Sequence, residues 1–430
     1  MAQIIPFKGI LYNQDKIQKI SDVITPPYDV ISEEEQKNYH KRHPQNIIRL
    51  ILGEKTPNDN KENNPHIRAS KYFKDWLSKG LFVQDDKPSI YLTSVRFLFK
   101  GQLITRYGLI TLVKLEPFEK GIILPHEKTF SKIKSERLEL MKVCHANFSQ
   151  IFSLFLDNDN LIDFLKNSIS NKNPDIDCYD DYEHNHKLWK ITDTNILKHI
   201  TESMANKTIF IADGHHRYET ALNYKNWVKE NTPDFGEDHP ANNIMMYLSG
   251  IQDPGLIILP AHRMVNHIEK SDDFIEKSKQ YFEIKTTPSL PEFLSLLEIL
   301  SNQNAIGVFI KNDENFYILT LKPNIMESMF GQELPQSMRE LDVTVLTRLI
   351  LMEMLGFDQT KLDDEKLITY TRDVEEALLN VKSGKCAIAF INNPTKIEQV
   401  KAISEQGLIM PRKSTYFYPK VITGLVLNKL

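Results

Sequence analysis

The chain has 430 residues, of which 41% are hydrophobic and 26% charged, and a formal net charge of −4. That length allows two or three cores, and the balance is that of an ordinary soluble globular protein without the basic footprint of a nucleic-acid binder. No apolar run reaches bilayer-spanning length, and the start, MAQIIPFKGILYNQ, lacks the basic region and long apolar core of a secretory signal. Cys144, Cys178 and Cys386 are far apart and odd in number, which suits a reducing cytoplasm, with Cys144 as a small core thiol.

In chain order, residues 1–82 read as a strand-poor start followed by helices. SEEEQKNYHKRH carries Ser32 as N-cap with acidic residues in its first turn, and IRASKYFKDWLSKG is amphipathic up to Gly80. Between them lies a polar loop with Pro57 and Pro65. SIYLTSVRFLF and LITRYGLITLVKL flank Lys100-Gly101 as a hairpin. The run from ILPHEKT to FSLFL is expected to begin as a loop and continue as a basic-faced helix. A polar, Asn/Asp-rich stretch follows from Asp157 to His186, and His184 and His186 are expected there as solvent-exposed side chains. TIFIA is a short buried strand, RYETALNYKNWVKE a helix, and NNIMMYLSGI and GLIILPAHRMV strands. Beyond them, SLPEFLSLLEIL and LDVTVLTRLILMEMLG read as helices, AIGVFIK-NDEN-FYILTLK as a hairpin and CAIAFIN as a strand. Hairpins mixed with helices favour α+β over a doubly wound sheet. The expected parts are residues 1–82 with the PPYD loop, a core over 83–265, and an α/β part over 266–430 that contributes the MPRKST loop.

The densest chemistry lies where TIFIA runs into Asp213-Gly214-His215-His216-Arg217 and then a helix. Such a junction aims the helix's first N–H groups at an anion above the strand. Gly214 permits a tight turn, Asp213 can hold a metal or take a proton, His215 and His216 can move protons or bind phosphate, and Arg217 can fork onto phosphate or carboxylate. The plain alternative is an Asp cap followed by two surface histidines. Three further stretches are rich in special residues. ITPPYDVIS presents Asp29 behind Pro26 and Pro27. LPHEKTFSKIKSER gathers Glu127 with Lys128 and Arg137, a base for a hydroxyl beside cations for phosphates, although a solvated basic face is the bland reading. MPRKSTYFYPK suggests a phosphate cradle of Lys413, Ser414 and Thr415, and Arg263 ends a probable strand. No glycine-rich phosphate loop of either common pattern occurs.

PFKGILYN, PPYDVIS, HPQNIIRLILG, LPHEKT, HANFSQIF, IADGHHRYETAL, DPGLIILPAHR and MPRKSTYFYPKVITGL together resemble the domain-of-unknown-function 1015 family, from Pro6 nearly to the C-terminus. The DGHHR box also resembles the second box of the ParB/sulfiredoxin-like fold, whose members include nucleotide hydrolases, sulfiredoxins and free-serine kinases. The resemblance implies a cytoplasmic small-molecule kinase that converts free L-serine to O-phospho-L-serine with Mg²⁺, its donor pyrophosphate, ATP or ADP. It places Asp213 on Mg²⁺ or the transferring phosphoryl group, and His215, His216 and Arg217 on donor phosphates. A glutamate preceding the box serves as base in free-serine kinases of this fold; Glu127 is the first candidate here and Asp29 the second. Gly214, Lys128, Arg137, Arg263, Lys413 and Ser414 are the remaining candidate phosphate or carboxylate ligands. The alternatives are a phosphatase or phosphotransferase acting on phosphoserine or a similar small phosphate, a ParB-like nucleotide-binding regulator, and a metabolite-binding protein without turnover. Small-molecule substrates are the expected partners, without nucleic acid or membrane, and a homo-oligomer is compatible with the sequence.

Overall fold

The Lys100-Gly101 hairpin forms as expected: both residues take positive φ, 48° and 77°, the backbone a two-residue turn needs to follow the twist of its strands. It lies in a nine-stranded sheet built from β1 (Ile4–Ile5), β2 (Ile90–Phe99), β3 (Gln102–Lys114), β4 (Ile123–Leu124), β5 (Ile151–Phe155), β6 (Ile176–Tyr179), β7 (Asn185–Ile191), β8 (Ile209–Asp213) and β9 (Asn243–Gly250). The order is β4-β8-β5-β9-β3-β2-β7-β6, with β1 on β3. β4 with β8 and β5 with β9 run parallel, the other neighbours antiparallel. The protein is therefore a mixed α+β fold with a large mixed sheet. This computed structural model describes residues 2–268 and 273–430, in two compact units: Met1–Ile257 with Pro419–Leu430, and Ile258–Tyr418. Residues 1–82 fall within the first unit and MPRKST within the second.

The first unit adds α1 (Glu33–Arg42), α2 (Pro65–Ser78), α3 (Ser131–Cys144), α4 (Thr194–Met204) and α5 (His215–Asn231). Ser32 and Glu35 close a reciprocal capping box on α1; α2 starts earlier than the apolar pattern suggests, with Asn64 as cap and Pro65 at its first position. One face of the sheet buries Leu109, Val113, Ile151, Phe155, Ile209 and Ile211 against Ile200 and Met204 of α4 and Tyr218 and Ala221 of α5.

Two expectations need correction here. The helix after LPHEKT does not continue to FSLFL: α3 ends at Cys144, His145 takes φ 48°, and Ile151–Phe155 is a buried strand. A short apolar run leaves helix and strand undistinguished by periodicity, and the neighbours β8 and β9 decide it. The polar stretch from Asp157 to His186 contains a helix, Leu161–Ser168, and the β6–β7 hairpin. His184 and His186 are accordingly buried, 5% and 4% exposed, rather than solvated, because β7 lies between β2 and β6.

The second unit is a six-stranded antiparallel sheet of β10 (His262–Val265), β11 (Phe282–Thr287), β12 (Ala305–Ile310), β13 (Phe316–Leu321), β14 (Ile368–Thr371) and β15 (Ile388–Ile391), in the order β11-β13-β12-β15-β10-β14. The expected β12–β13 hairpin forms. LDVTVLTRLILMEMLG is helical, but from Val345 to Met354 it winds at the wider π spacing. Among the described residues, no helix is long and apolar enough to cross a membrane. All three cysteines are free and buried, and burial pushes the Cys144 thiol up to about 12, which makes it an inert core thiol at neutral pH.

Candidate active site

A bulge sets the site. In β8, Ile209 and Ile211 point into the core, and simple alternation would send Asp213 the same way. Between Ile211 and Asp213 the register on β5 shifts, so that Asp213 pairs with Phe152 instead of Ile151. That re-aims the carboxylate away from the apolar layer. Gly214 follows at φ 98°, and a Cβ there would lie 2.9 Å from Arg217 Nε. Only glycine fits both demands. The 17-residue helix α5 then begins at His215, with no side-chain cap from Gly214, so its N-terminal dipole faces the same side as the Asp213 carboxylate.

Asp213 is held by two cations: Lys420 Nζ donates to Oδ1 at 2.8 Å and Arg217 Nη2 to Oδ2 at 2.6 Å. Burial would raise this carboxyl, but Lys420 and Arg217 outweigh it and hold it well below the usual carboxylate range. Arg217 Nη1 also donates to Gln150 O at 2.5 Å, Asp29 Oδ2 lies 3.9 Å from Nη2, and the buried Nε has no hydrogen-bond partner. A buried guanidinium N–H without a partner, at an uncapped helix start, marks a place for an acceptor from outside the chain.

The two histidines of the box differ from surface side chains. His215 is 3% exposed, and its Nε2 accepts from the His126 N–H at 3.2 Å. The neutral tautomer therefore carries its proton on Nδ1, which lies 3.6 Å from Glu127 Oε2. Burial, then the neighbouring His126, lower the His215 pKa well below the ordinary value, so it is a neutral donor rather than a cation. His216 Nε2 accepts from the Phe130 N–H at 2.9 Å, and its ring stacks on Phe130. Thus LPHEKTF wraps α5: its backbone fixes both imidazoles, Glu127 faces His215, and Thr129 Oγ1 donates to Glu219 of α5 at 2.7 Å. Lys134 pairs with the same Glu219. Lys128 is exposed.

PPYDV delivers a 3₁₀ turn, Tyr28–Val30, whose Tyr28 ring lies under the Arg137 guanidinium at 4.2 Å. Arg137 also donates to Ile51 O at 2.7 Å. A gap of about 60 Å³ is bounded by Tyr28, Arg137 and Arg217. Arg137 also borders a cavity of about 710 Å³ between α1, α2 and α3, lined by Gln36, Leu50, Leu52, His66 and Glu136 among others.

The first unit thus brings together Asp29, Glu127, Arg137, Asp213, Gly214, His215, His216 and Arg217. Arg263, Lys413 and Ser414 belong to the second unit, where Arg263 donates to Arg412 O at 3.0 Å and Ser414 Oγ to Pro411 O at 2.5 Å. The member of MPRKSTYFYPK that meets Asp213 is Lys420. Its partner lies 207 positions away, and only a charge following an aromatic run hinted at it. Gln150 and the His126 backbone carry no local signal at all.

The family model described as "Protein of unknown function (DUF1015)" matches residues 4–344, and the chain belongs to that family. No curated protein matches it in sequence. Among solved structures, a free serine kinase in complex with AMP is similar at TM-score 0.35 and 12% identity, over 74% of this chain and 92% of that one. A conserved hypothetical protein from Pyrococcus furiosus gives 0.34 and 12%, over 74% and 95%. C-terminally truncated SbnI from Staphylococcus aureus gives 0.34 and 9%, over 73% and 85%.

Proposed function

We propose that the first unit is a small-molecule kinase with a ParB/sulfiredoxin-like core, transferring a phosphoryl group to the hydroxyl of free L-serine. The observation that carries this reading is the Asp213–Arg217–Lys420 cluster at the start of α5: two partly buried cations converge at a helix N-terminus, where phosphates would sit. The acceptor rests on the resemblance of the DGHHR box to free-serine kinases. Phosphoryl transfer asks chiefly for positioning and charge neutralisation, which such a cluster supplies.

In this reading the donor's terminal phosphoryl lies over the start of α5, met by Arg217, Lys420 and the Nδ1–H groups of His215 and His216. The serine oxygen attacks phosphorus in line, its proton passes to Glu127, and the bond from phosphorus to the donor's bridging oxygen breaks. Glu127 is preferred to Asp29 as base because its neighbour His215 is held neutral and does not compete for the carboxylate as a cation. Asp29 is engaged by Arg217 instead. The two carboxylates beside Arg217, Asp213 and Asp29, are hard oxygen donors of the kind Mg²⁺ takes together with phosphates. They would hold it there, and the ion would supply further neutralisation of phosphate charge when bound. The cavity beside Arg137 has the volume of a small-molecule site and favours a nucleotide donor over bare pyrophosphate. Lys128, Arg263, Lys413 and Ser414 are secondary candidates for phosphate or carboxylate contacts.

The test is phosphorus NMR of the full chain with Mg²⁺ and L-serine, comparing ATP, ADP and pyrophosphate, beside a sample with phosphoserine alone. A serine-dependent phosphomonoester signal with one donor supports the kinase and names that donor. Loss of phosphoserine without a donor would replace it with a phosphatase. Silence in every sample would leave a binding protein.

A further inference from the structure

The IDCYDDYEHNH hairpin lies outside that machinery and holds the tightest grouping of metal-ligating side chains among the described residues. Asp180 follows β6, His184 immediately precedes β7, and His186 is the second residue of β7. One carboxylate oxygen is fixed by backbone: Asp180 Oδ1 accepts from the Tyr182 and His184 N–H groups at 2.9 and 3.0 Å. The other faces both imidazoles, with His184 Nδ1 and His186 Nε2 each 2.9 Å from Oδ2. The ligand atoms all lie within 4.8 Å of one another. The His184 ring is further held by stacking on Tyr182 and an edge contact with Phe97. Both histidines are at least nine-tenths buried.

We propose that Asp180, His184 and His186 form a binding site for a divalent metal ion of the zinc class. Two imidazole nitrogens and one carboxylate oxygen are the donor set of zinc and its first-row neighbours, whereas magnesium prefers oxygen alone. With metal–ligand bonds of about 2.0–2.2 Å, donors around one ion stand roughly 3.3 Å apart, so the two 2.9 Å contacts need to open only by a few tenths of an ångström. Binding through these atoms leaves each imidazole's other ring nitrogen to carry its proton. Three protein ligands leave a position open for water. Asp181 ties the same turn to α1, donated to by Arg42 at 2.7 and 3.0 Å and by Tyr39 Oη at 2.7 Å. A bound ion would thus clamp the hairpin end that α1 leans on. This site stands or falls independently of the kinase reading.

The experiment is a zinc titration of the chelator-stripped full chain against a chromophoric competitor, with a parallel cobalt titration followed by visible absorption. One zinc per chain, a tetrahedral cobalt spectrum and a raised melting temperature on zinc addition are expected. Asp180→Asn and His184→Gln are each expected to weaken zinc about 100-fold or more, beyond the loss usual for a supporting partner, while His216→Gln keeps it. The wild-type titration needs no variant: a folded, stripped chain that takes up no zinc overturns the proposal and leaves a hydrogen-bonded triad. Zinc retained by Asp180→Asn but lost by His216→Gln would overturn it equally, by moving the metal to the DGHHR box.

Discussion

At the scale of single residues, Asp213 is both the organiser of the site and a partly buried counter-ion. The DGHHR motif alone suggests that Asp213→Ala silences activity and leaves the fold intact. The ion pairs say otherwise: the substitution strands Arg217 and Lys420 without their carboxylate. Breaking a fully buried pair by removing one partner costs about 3–5 kcal/mol, and these partly buried pairs cost less than that. Asp213→Ala should therefore lose activity by about 10²–10³-fold, the scale of removing one charge-stabilising group, and also lower the urea midpoint. Asp213→Asn keeps one acceptor oxygen for one of the two cations but turns its NH2 towards the other, so it should lose comparable activity with a smaller stability loss than Asp213→Ala. Wild-type midpoints in both variants would mean the ion pairs contribute nothing to stability. Glu127 and Asp29 separate in the same assay. Glu127→Gln is expected to lower kcat at least about 10²-fold with little change in the KM for serine, as removal of a general base does. Asp29→Asn should act more weakly, through Arg217. The reverse ranking would assign the base to Asp29.

At the scale of elements, what the sequence made legible was local. The Lys100-Gly101 turn, the Ser32 box, the strand-to-helix junction at Gly214 and the β12–β13 hairpin each carry their own signal in turn chemistry, capping or period. β5 and the β6–β7 hairpin do not: Ile151–Phe155 is too short for periodicity to decide, and β7 looks polar because its polar side chains find buried partners such as Asp180. Partners distant in sequence are beyond reach for the same reason, which is why MPRKSTYFYPK points to Lys413, Ser414 and Thr415 rather than to Lys420. β10 offers an element-scale prediction that the motif reading did not contain. His262 is 1% exposed, accepts from the Asn392 N–H at 3.2 Å, and burial lowers its pKa to about 4 against the opposing pull of Asp373. Between about 6.5 and 4 the unfolded chain takes up a proton that the folded chain refuses, so stability is lost as pH falls through that window, by about 3 kcal/mol in full. The urea midpoint followed by circular dichroism should therefore fall from pH 7 to pH 5 more steeply in wild type than in His262→Gln. Parallel slopes would show that His262 takes up its proton as readily in the folded chain as in the unfolded one.

At the scale of the whole molecule, the first unit is discontinuous: its last twelve residues, Pro419–Leu430, return after the entire second unit. The returning segment supplies Lys420 to Asp213 and offers Pro419 O to the buried Arg106 and Ile422 O to Gln150, both at 2.8 Å. It also bridges Thr423 to Thr25, Leu427 to Ile10 and Asn428 to Asn147. The family model's match ends at residue 344, so Lys420 lies outside the matched stretch. Ile422, Leu425, Val426 and Leu427 are each no more than 4% exposed. At about 2 kcal/mol for each buried aliphatic side chain, their removal costs on the order of 8 kcal/mol, comparable with the whole stability of a typical domain. A chain ending at Tyr418 is thus expected to lose the fold of the first unit along with its activity. Trp76, Trp189 and Trp227 all lie in that unit, so tryptophan fluorescence reports on it alone. The truncated chain should show the emission of exposed indoles before any urea is added. Lys420→Ala keeps the four apolar anchors and should retain native emission while losing about 10²–10³-fold in activity. If the truncated chain instead emits like wild type, the segment supplies chemistry only, and the first unit is held together by its continuous part.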